Sequence, residues 1–105
     1  MNATLIVTVE TPEFKTFYAG TVKIHEDYMT LRFPRNPRDA FRFADGGRYI
    51  KIIRGSGVHC FVDKISGDVL KAASWKAPAK HARGNIFDAK NGLGMMGEYG
   101  PAYLR

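Results

Sequence analysis

Three short β-prone runs near the middle of the chain constrain its fold more than any other feature. Tyr49–Ile53 and Val58–Val62 are apolar or β-branched, and Gly55-Ser56-Gly57 between them supplies glycines for the positive φ of a tight hairpin. Lys64–Gly67 forms a second turn, after which Val69–Ala73 continues the pattern. The sequence therefore predicts a three-stranded antiparallel meander in this part of the chain.

The N-terminal third also has a composition typical of strands. Ala3–Val9 is rich in Thr, Val and Ile, and Thr11-Pro12 ends the run. Phe17–His25 and Tyr28–Phe33 repeat this composition on either side of a turn at Glu26-Asp27. The pattern predicts a first strand followed by a hairpin.

The segment Pro37–Ala44 leaves two alternatives open. Asn36 suits a helix N-cap, Pro37 suits the first helical position, and Gly46-Gly47 suits the end. These signals predict a short helix. The alternative is an irregular loop.

The segment Gly67–Asp88 is the most biased in composition, because it holds the only tryptophan, Trp75, and several basic residues. Pro78 and Gly84 suit the two ends of a short helix. Helical spacing would bring three cations onto one face: Lys76, Lys80 and Arg83. We expect the ring of Trp75 to be largely buried against the sheet, the alternative being a platform for stacking bases.

Together these elements predict a single α+β domain over residues 1–105, mostly antiparallel β-sheet in hairpins and a meander, with one or two short helices. A chain of 105 residues is long enough for one modest hydrophobic core. Residues 89–105 combine frequent glycines with Met and Tyr, which predicts a loop-rich C-terminal arm.

The block from Asp68 to Phe87 resembles a group of uncharacterised small bacteriophage proteins. These share a Gly-Asp-Val-x-Lys-x-Ala-x-Trp-Lys-Ala-Pro-Ala-Lys-x-Ala-Arg-Gly-Asn block, and the resemblance covers residues 48–105 of this chain. Phe61-Val62-Asp63 before the block and Gly100-Pro101-Ala102-Tyr103-Leu104-Arg105 after it belong to the same resemblance. It implies a phage origin and no activity, and therefore a location in the bacterial host cytoplasm or in the virion.

Positive charge is concentrated in the C-terminal two thirds of the chain. Residues 1–31 carry two lysines and four acids, whereas the whole chain has a net charge of +6. The isoelectric point is about 9.7. A clustered basic charge of this kind is typical of proteins that bind polyanions, although many small basic proteins are simply soluble.

A second basic cluster, at residues 32–42, is interleaved with Phe33 and Phe41. Basic residues that follow phosphates, with aromatic platforms between them, are typical of sequence-tolerant binding to single strands. The sequence therefore predicts that the protein binds DNA or RNA. The predicted nucleic-acid-binding residues are Arg35, Arg38, Arg42, Lys71, Trp75, Lys76, Lys80, His81 and Arg83.

The alternative is a protein–protein interaction module. It would be a minor virion component or an inhibitor of a host factor, with the Gly-, Met- and Tyr-rich arm supplying the contact surface. The two functions differ in their expected dependence on salt and in what co-purifies with the protein.

The sequence predicts a binding protein rather than an enzyme, with no cofactor and no metal. Cys60 lies in an apolar run and is expected to be a buried hydrophobic residue. His25, His59 and His81 lie on separate predicted elements, whereas a metal site needs three or four converging ligands. No apolar run is long enough to cross a bilayer, and a single cysteine fits a reducing cytoplasm.

Overall fold

The computed structural model describes residues 5–102, which form one helix and two antiparallel sheets. The helix, α1, spans Pro12–Arg32. The larger sheet contains β1 (Phe41–Asp45), β2 (Tyr49–Arg54), β3 (Gly57–Asp63), β4 (Asp68–Ala72) and β5 (Pro78–Asn85). The smaller sheet contains β6 (Met96–Gly97) and β7 (Gly100–Pro101). The predicted α+β class is confirmed.

The five-stranded sheet is a meander in which each strand pairs antiparallel with the next along the chain. Its central strands, β2, β3 and β4, coincide with the three β-prone runs, so the predicted three-stranded meander is confirmed. Gly55 has a φ of 60° in the turn between β2 and β3, a conformation that favours glycine.

The helix α1 replaces the predicted hairpin of Phe17–His25 and Tyr28–Phe33, which was wrong. Pro12 lies in the first turn, where its missing N–H costs no hydrogen bond. The buried residues recur every three or four positions, which is the period of a helix and not of a strand. They are Phe14, Phe17, Thr21 and His25. No helix among residues 5–102 combines the length and the apolar character needed to cross a bilayer.

The predicted first strand, Ala3–Val9, is also wrong where the structure describes it, and its first two residues lie outside the described part. Residues 5–8 have no regular structure. The N–H groups of Ile6 and Val7 instead donate to the carbonyl oxygen of Lys64, at 2.8 and 3.0 Å. This attachment carries Val7 into the core.

Neither of the two predicted short helices forms, and the segments concerned are strands or irregular. In Pro37–Ala44, residues 37–40 are irregular, and the chain then pairs with β2 from Phe41 onward. The helix expected to begin at Pro78 is β5, which pairs with β4 through Ala82 and Asn85. Proline is tolerated on an edge strand such as β5. Pairing with the neighbouring strand therefore outweighs the local helix signals in both segments.

The main core lies between α1 and one face of the larger sheet. Phe14 and Phe17 contribute from the helix, and Cys60 is fully buried with them, as predicted. Burial raises the pKa of the Cys60 thiol, so it stays protonated. The other buried members of this core are Val7, Ile50, Ile52, Val62, Val69 and Ile86.

Residues 89–102 of the predicted C-terminal arm consist of turns and the short strands β6 and β7, and residues 103–105 lie outside the described part. Leu93 and Met96 pack against the core. The side-chain amide of Asn91 donates to the carbonyl oxygens of Glu13 and Ile86, at 3.0 and 2.7 Å. These contacts attach the arm to α1 and to the end of the sheet.

Two buried histidines meet where the hairpin formed by β6 and β7 packs against α1. The rings of His25 and His59 lie 6.4 Å apart, and Nδ1 of His25 is 2.6 Å from the carbonyl oxygen of Glu98. Neither Nε2 atom has a hydrogen-bond partner among the described residues. Burial, reinforced by the charge of Arg54, lowers the pKa of His59 from 6.5 to about 4.

We predict that acid destabilises the fold through His59. Because the pKa of this histidine is lower in the folded chain, the unfolded chain binds the proton first. The stabilisation is therefore complete above pH 6.5 and is lost as the pH falls toward about 4. The free energy of unfolding, measured in urea, should fall by about 3 kcal/mol over this range.

Two variants identify the group responsible. His59→Phe should show little change between these pH values, because phenylalanine does not titrate. His81→Gln, at an exposed position on β5, should keep the wild-type slope. Equal stability of the wild-type protein at both ends of this pH range would contradict the prediction.

Candidate nucleic-acid interface

The larger sheet has a second face, on the side away from α1. Residues that pair across an antiparallel sheet point to the same side. Ile50, Val62 and Val69 form one such row and point into the core. The next row points to the opposite side and consists of Ala44, Lys51, Phe61 and Leu70. Arg42 and Tyr49 lie two positions from members of this row and point the same way, and we call these six residues the outer face.

The turn between β4 and β5 brings two further side chains to the outer face. The hydroxyl of Ser74 accepts hydrogen bonds from the N–H groups of Lys76 and Ala77, at 3.3 and 3.2 Å. The carbonyl oxygen of Ala77 accepts from the N–H groups of Ala73 and Ser74. These bonds hold the turn in a compact shape that places Trp75 and Lys76 beside β2.

Trp75 is half exposed, so the expectation of a largely buried ring was wrong. Its relative exposure is 46%, whereas Phe61 on the same face is 2% exposed. The ammonium group of Lys51 lies 4.2 Å from the centre of the Trp75 ring, a cation–π contact. Phe61 takes the buried aromatic position that the sequence analysis gave to Trp75, and Tyr49 packs against it with ring centres 5.9 Å apart.

A basic pocket of about 300 Å³ opens on the outer face beside this turn. Arg48, Lys51 and Lys76 bring three positive charges to its walls, and Asp45 is its single acid. Tyr49 and Phe61 supply aromatic surface, and the rest of the lining is Ala44, Gly46 and Gly47. A concave site with apolar walls and a few charged groups is the usual form of a ligand pocket.

Two ion pairs orient the groups around this basic pocket. Arg48 Nη2 lies 3.0 Å from a carboxylate oxygen of Asp63, and Lys64 Nζ lies 2.6 Å from a carboxylate oxygen of Asp45. The hydrogen bond and the charge of Asp63 raise the pKa of Arg48, whose side chain remains 56% exposed. With these partners included, four cations face two carboxylates, so the pocket keeps an excess of positive charge.

An uncharged slot of about 260 Å³ lies on the same side of the molecule. Trp75 forms one wall, and the other residues are small or apolar: Gly57, Val58, Ala72, Ala73 and Ser74. Because Lys51 stands over the ring of Trp75 and also lines the basic pocket, the two cavities are neighbours.

The structure brings three of the predicted nucleic-acid-binding residues to this region: Arg42, Trp75 and Lys76. Arg35 lies instead in the turn after α1. Arg38 is held by the same end of the helix, since its guanidinium donates to the carbonyl oxygens of Phe33 and Asn36 and to the hydroxyl of Thr30. The two predicted basic clusters therefore do not form one continuous surface around the basic pocket.

The remaining predicted nucleic-acid-binding residues lie on β4 and β5, outside the basic pocket. Lys71 alternates with Leu70 and therefore points away from the outer face. On that other side of the sheet, its ammonium donates to the carbonyl oxygen of Pro101 at 2.9 Å. Lys80 and His81 are exposed on β5. Arg83 is buried and donates to the carbonyl oxygen of His81. The expected helical face of Lys76, Lys80 and Arg83 was wrong, because this segment is a strand.

Sequence reasoning missed four residues of the site: Arg48, Tyr49, Lys51 and Phe61. A usable signal was present, because Tyr49 and Lys51 alternate with the core residues Ile50 and Ile52 in a correctly predicted strand. Strand alternation alone places these two side chains on the face opposite the core.

The most reactive residue types among the described residues are not gathered into one cluster. Cys60 is buried with a raised pKa, so it is not an activated nucleophile. Residues 5–102 contain no group of three or more His, Cys, Asp or Glu side chains placed to hold a metal ion. The outer face itself presents cations and aromatic rings.

These features define a small α+β protein with a basic, aromatic surface on one side of its sheet. The chain belongs to DUF7717, a family of unknown function whose model matches residues 14–102. The match includes every residue of the outer face and of the two cavities. Neither the curated proteins nor the solved structures contain a match to the chain.

We predict that the two aromatic residues of this site differ sharply in their contribution to stability. Trp75→Ala should lower the free energy of unfolding by about 1 kcal/mol, since the ring is half exposed and loses mainly its contact with Lys51. Phe61→Ala should cost about 3–5 kcal/mol, because it leaves a cavity. Urea unfolding of both variants measures the difference, and equal losses would show that Trp75 is a core residue.

Proposed function

We propose that this protein binds nucleic acid through its outer face and is not an enzyme. The observation that carries the proposal is the half-exposed ring of Trp75 on Lys51, directly beside a pocket lined by three cations. Tryptophan is enriched at interfaces, where part of the ring is buried and the rest can meet a partner. Here the ring is surrounded by groups suited to phosphate and to bases.

The charges of the site match a phosphate backbone. Arg48 and Lys76 present exposed donors at the basic pocket, and Arg42 extends the positive charge along β1. Each phosphate contact releases condensed counterions, which gives nucleic-acid binding its dependence on salt. Aromatic rings such as Trp75 add affinity that does not depend on sequence, because every base has a π-face.

A bacteriophage origin belongs to the same proposal. The block from Asp68 to Phe87 supports it, since that block carries the resemblance to small phage proteins. In this proposal the protein acts as an accessory factor in the cytoplasm of the bacterial host or as part of the virion. Trp75 and Lys76, the two residues that the turn brings to the outer face, lie within the block.

We predict that binding to a short oligonucleotide weakens steeply with salt and depends on the outer-face lysines. On single strands the logarithm of affinity should fall with the logarithm of salt concentration by about 0.7 per phosphate contact. The double variant Lys51→Gln/Lys76→Gln should bind more weakly and show a slope reduced by about 1.4. Fluorescence anisotropy of a labelled oligonucleotide at several salt concentrations measures both quantities.

The matched control removes two lysines from α1. Lys15→Gln/Lys23→Gln carries the same change in net charge, and both lysines are exposed and paired with acids on the surface. It should keep a slope close to that of the wild-type protein. The proposal fails if the wild-type protein does not bind at about 50 mM salt, or if both double variants lose affinity equally.

An aromatic patch at the end of α1 favours a second candidate function, binding to a host or virion protein. Tyr28 packs against Phe33 and Tyr99, with ring centres 6.1 and 5.5 Å apart. Leu31 beside them is 79% exposed. Exposed apolar and aromatic groups of this kind are typical of protein interfaces. Failure of the salt experiment would leave this patch as the better supported site.

A further inference from the structure

One of the two cavities beside Trp75 is basic and the other is uncharged, just as a nucleotide has a charged phosphate and an uncharged base. The basic pocket presents Arg48, Lys51 and Lys76, which suit a phosphate. The slot is lined by small uncharged residues and by the indole of Trp75, which suit the flat apolar surface of a base. Lys51 joins them, since it contacts the indole ring and lines the basic pocket.

We infer that the outer face binds an unpaired nucleotide, with its base in the slot against Trp75 and its phosphate in the basic pocket. The inference rests on the proposed nucleic-acid binding and names the form of ligand that the site takes. A base inside a duplex is stacked on both sides and cannot present its face to a protein ring. The protein therefore selects single strands over duplexes.

The contact between Lys51 and Trp75 prepares the site for both parts of this ligand. With its ammonium 4.2 Å from the ring centre, Lys51 is held next to the place where the phosphate binds. The small residues that line the slot together with Trp75, such as Ala72 and Ala73, leave space for a planar group beside the indole. Larger side chains at these positions would close the slot without changing any charge.

The test uses Trp75 itself as the reporter, because it is the only tryptophan in the chain. A short oligothymidylate, an abasic strand of equal length and a duplex of the same length are titrated into the wild-type protein at low salt. Indole fluorescence reports stacking, and anisotropy of a label on each strand reports binding. Oligothymidylate should quench the fluorescence and bind about 5- to 150-fold more tightly than the abasic strand, the range expected for one stacked base.

Two variants test the slot separately from the charges. Trp75→Ala and Ala73→Leu keep every cation, and both should reduce the affinity for oligothymidylate to that for the abasic strand. Trp75→Phe retains an aromatic ring and should keep part of the preference. The abasic strand should bind to Ala73→Leu as it does to the wild-type protein, because that variant keeps the contact between Lys51 and Trp75.

The outcomes separate this inference from the proposed function. If oligothymidylate and the abasic strand bind equally and neither quenches the indole, nucleic-acid binding stands and the base slot is wrong. The inference is also overturned if the duplex binds as tightly as the single strand. If none of the three ligands binds, the proposed function fails, and the inference fails with it.

Discussion

The contact between α1 and one face of the larger sheet is the interaction on which the rest of the structure depends. Phe14 and Phe17 are fully buried there against the apolar side chains of β2, β3 and β4. Burying side chains of this size contributes about 1.5–3 kcal/mol each. Because α1 covers only one side of the sheet, the opposite side is left for the turn between β4 and β5 and for the two cavities beside it.

The outer face combines a structural role with the proposed binding role. Phe61 is buried there beside Tyr49, with the ammonium of Lys51 6.0 Å from its ring centre, so part of this surface is a small second core. Trp75 is held at this face by the turn and by Lys51, and it is 46% exposed. A large exposed ring adds little stability, and its position beside cations is the observation on which the proposed binding role rests.

The sequence predicted the central meander because its signals are local. Gly55 and the β-prone runs around it specify a hairpin without reference to the rest of the chain. The prediction was wrong for α1, because Phe17, Tyr18 and Thr21 favour strands by composition. The buried residues of this segment are nevertheless spaced with the period of a helix, and it is the period that corresponds to the face that the chain buries.

The candidate site was predicted only in part, for a related reason. Lys76, Lys80 and Arg83 were placed on one helical face, but pairing of β5 with β4 makes this segment a strand and buries Arg83. That pairing is a tertiary contact that local propensity does not report. Trp75 was expected to be buried, but its 46% exposure depends on a turn that no local signal specified.

The central claim is that the two faces of the sheet have separate roles, one closed by α1 and one that contacts nucleic acid. Backbone amide chemical shifts, followed by NMR while a short single-stranded oligonucleotide is added, test it most directly. The account predicts large shifts at Ala44, Lys51 and Trp75, with little change along the exposed side of α1 at Lys15 and Lys23. Shifts concentrated on α1, or on the patch around Tyr28 and Tyr99, would contradict it.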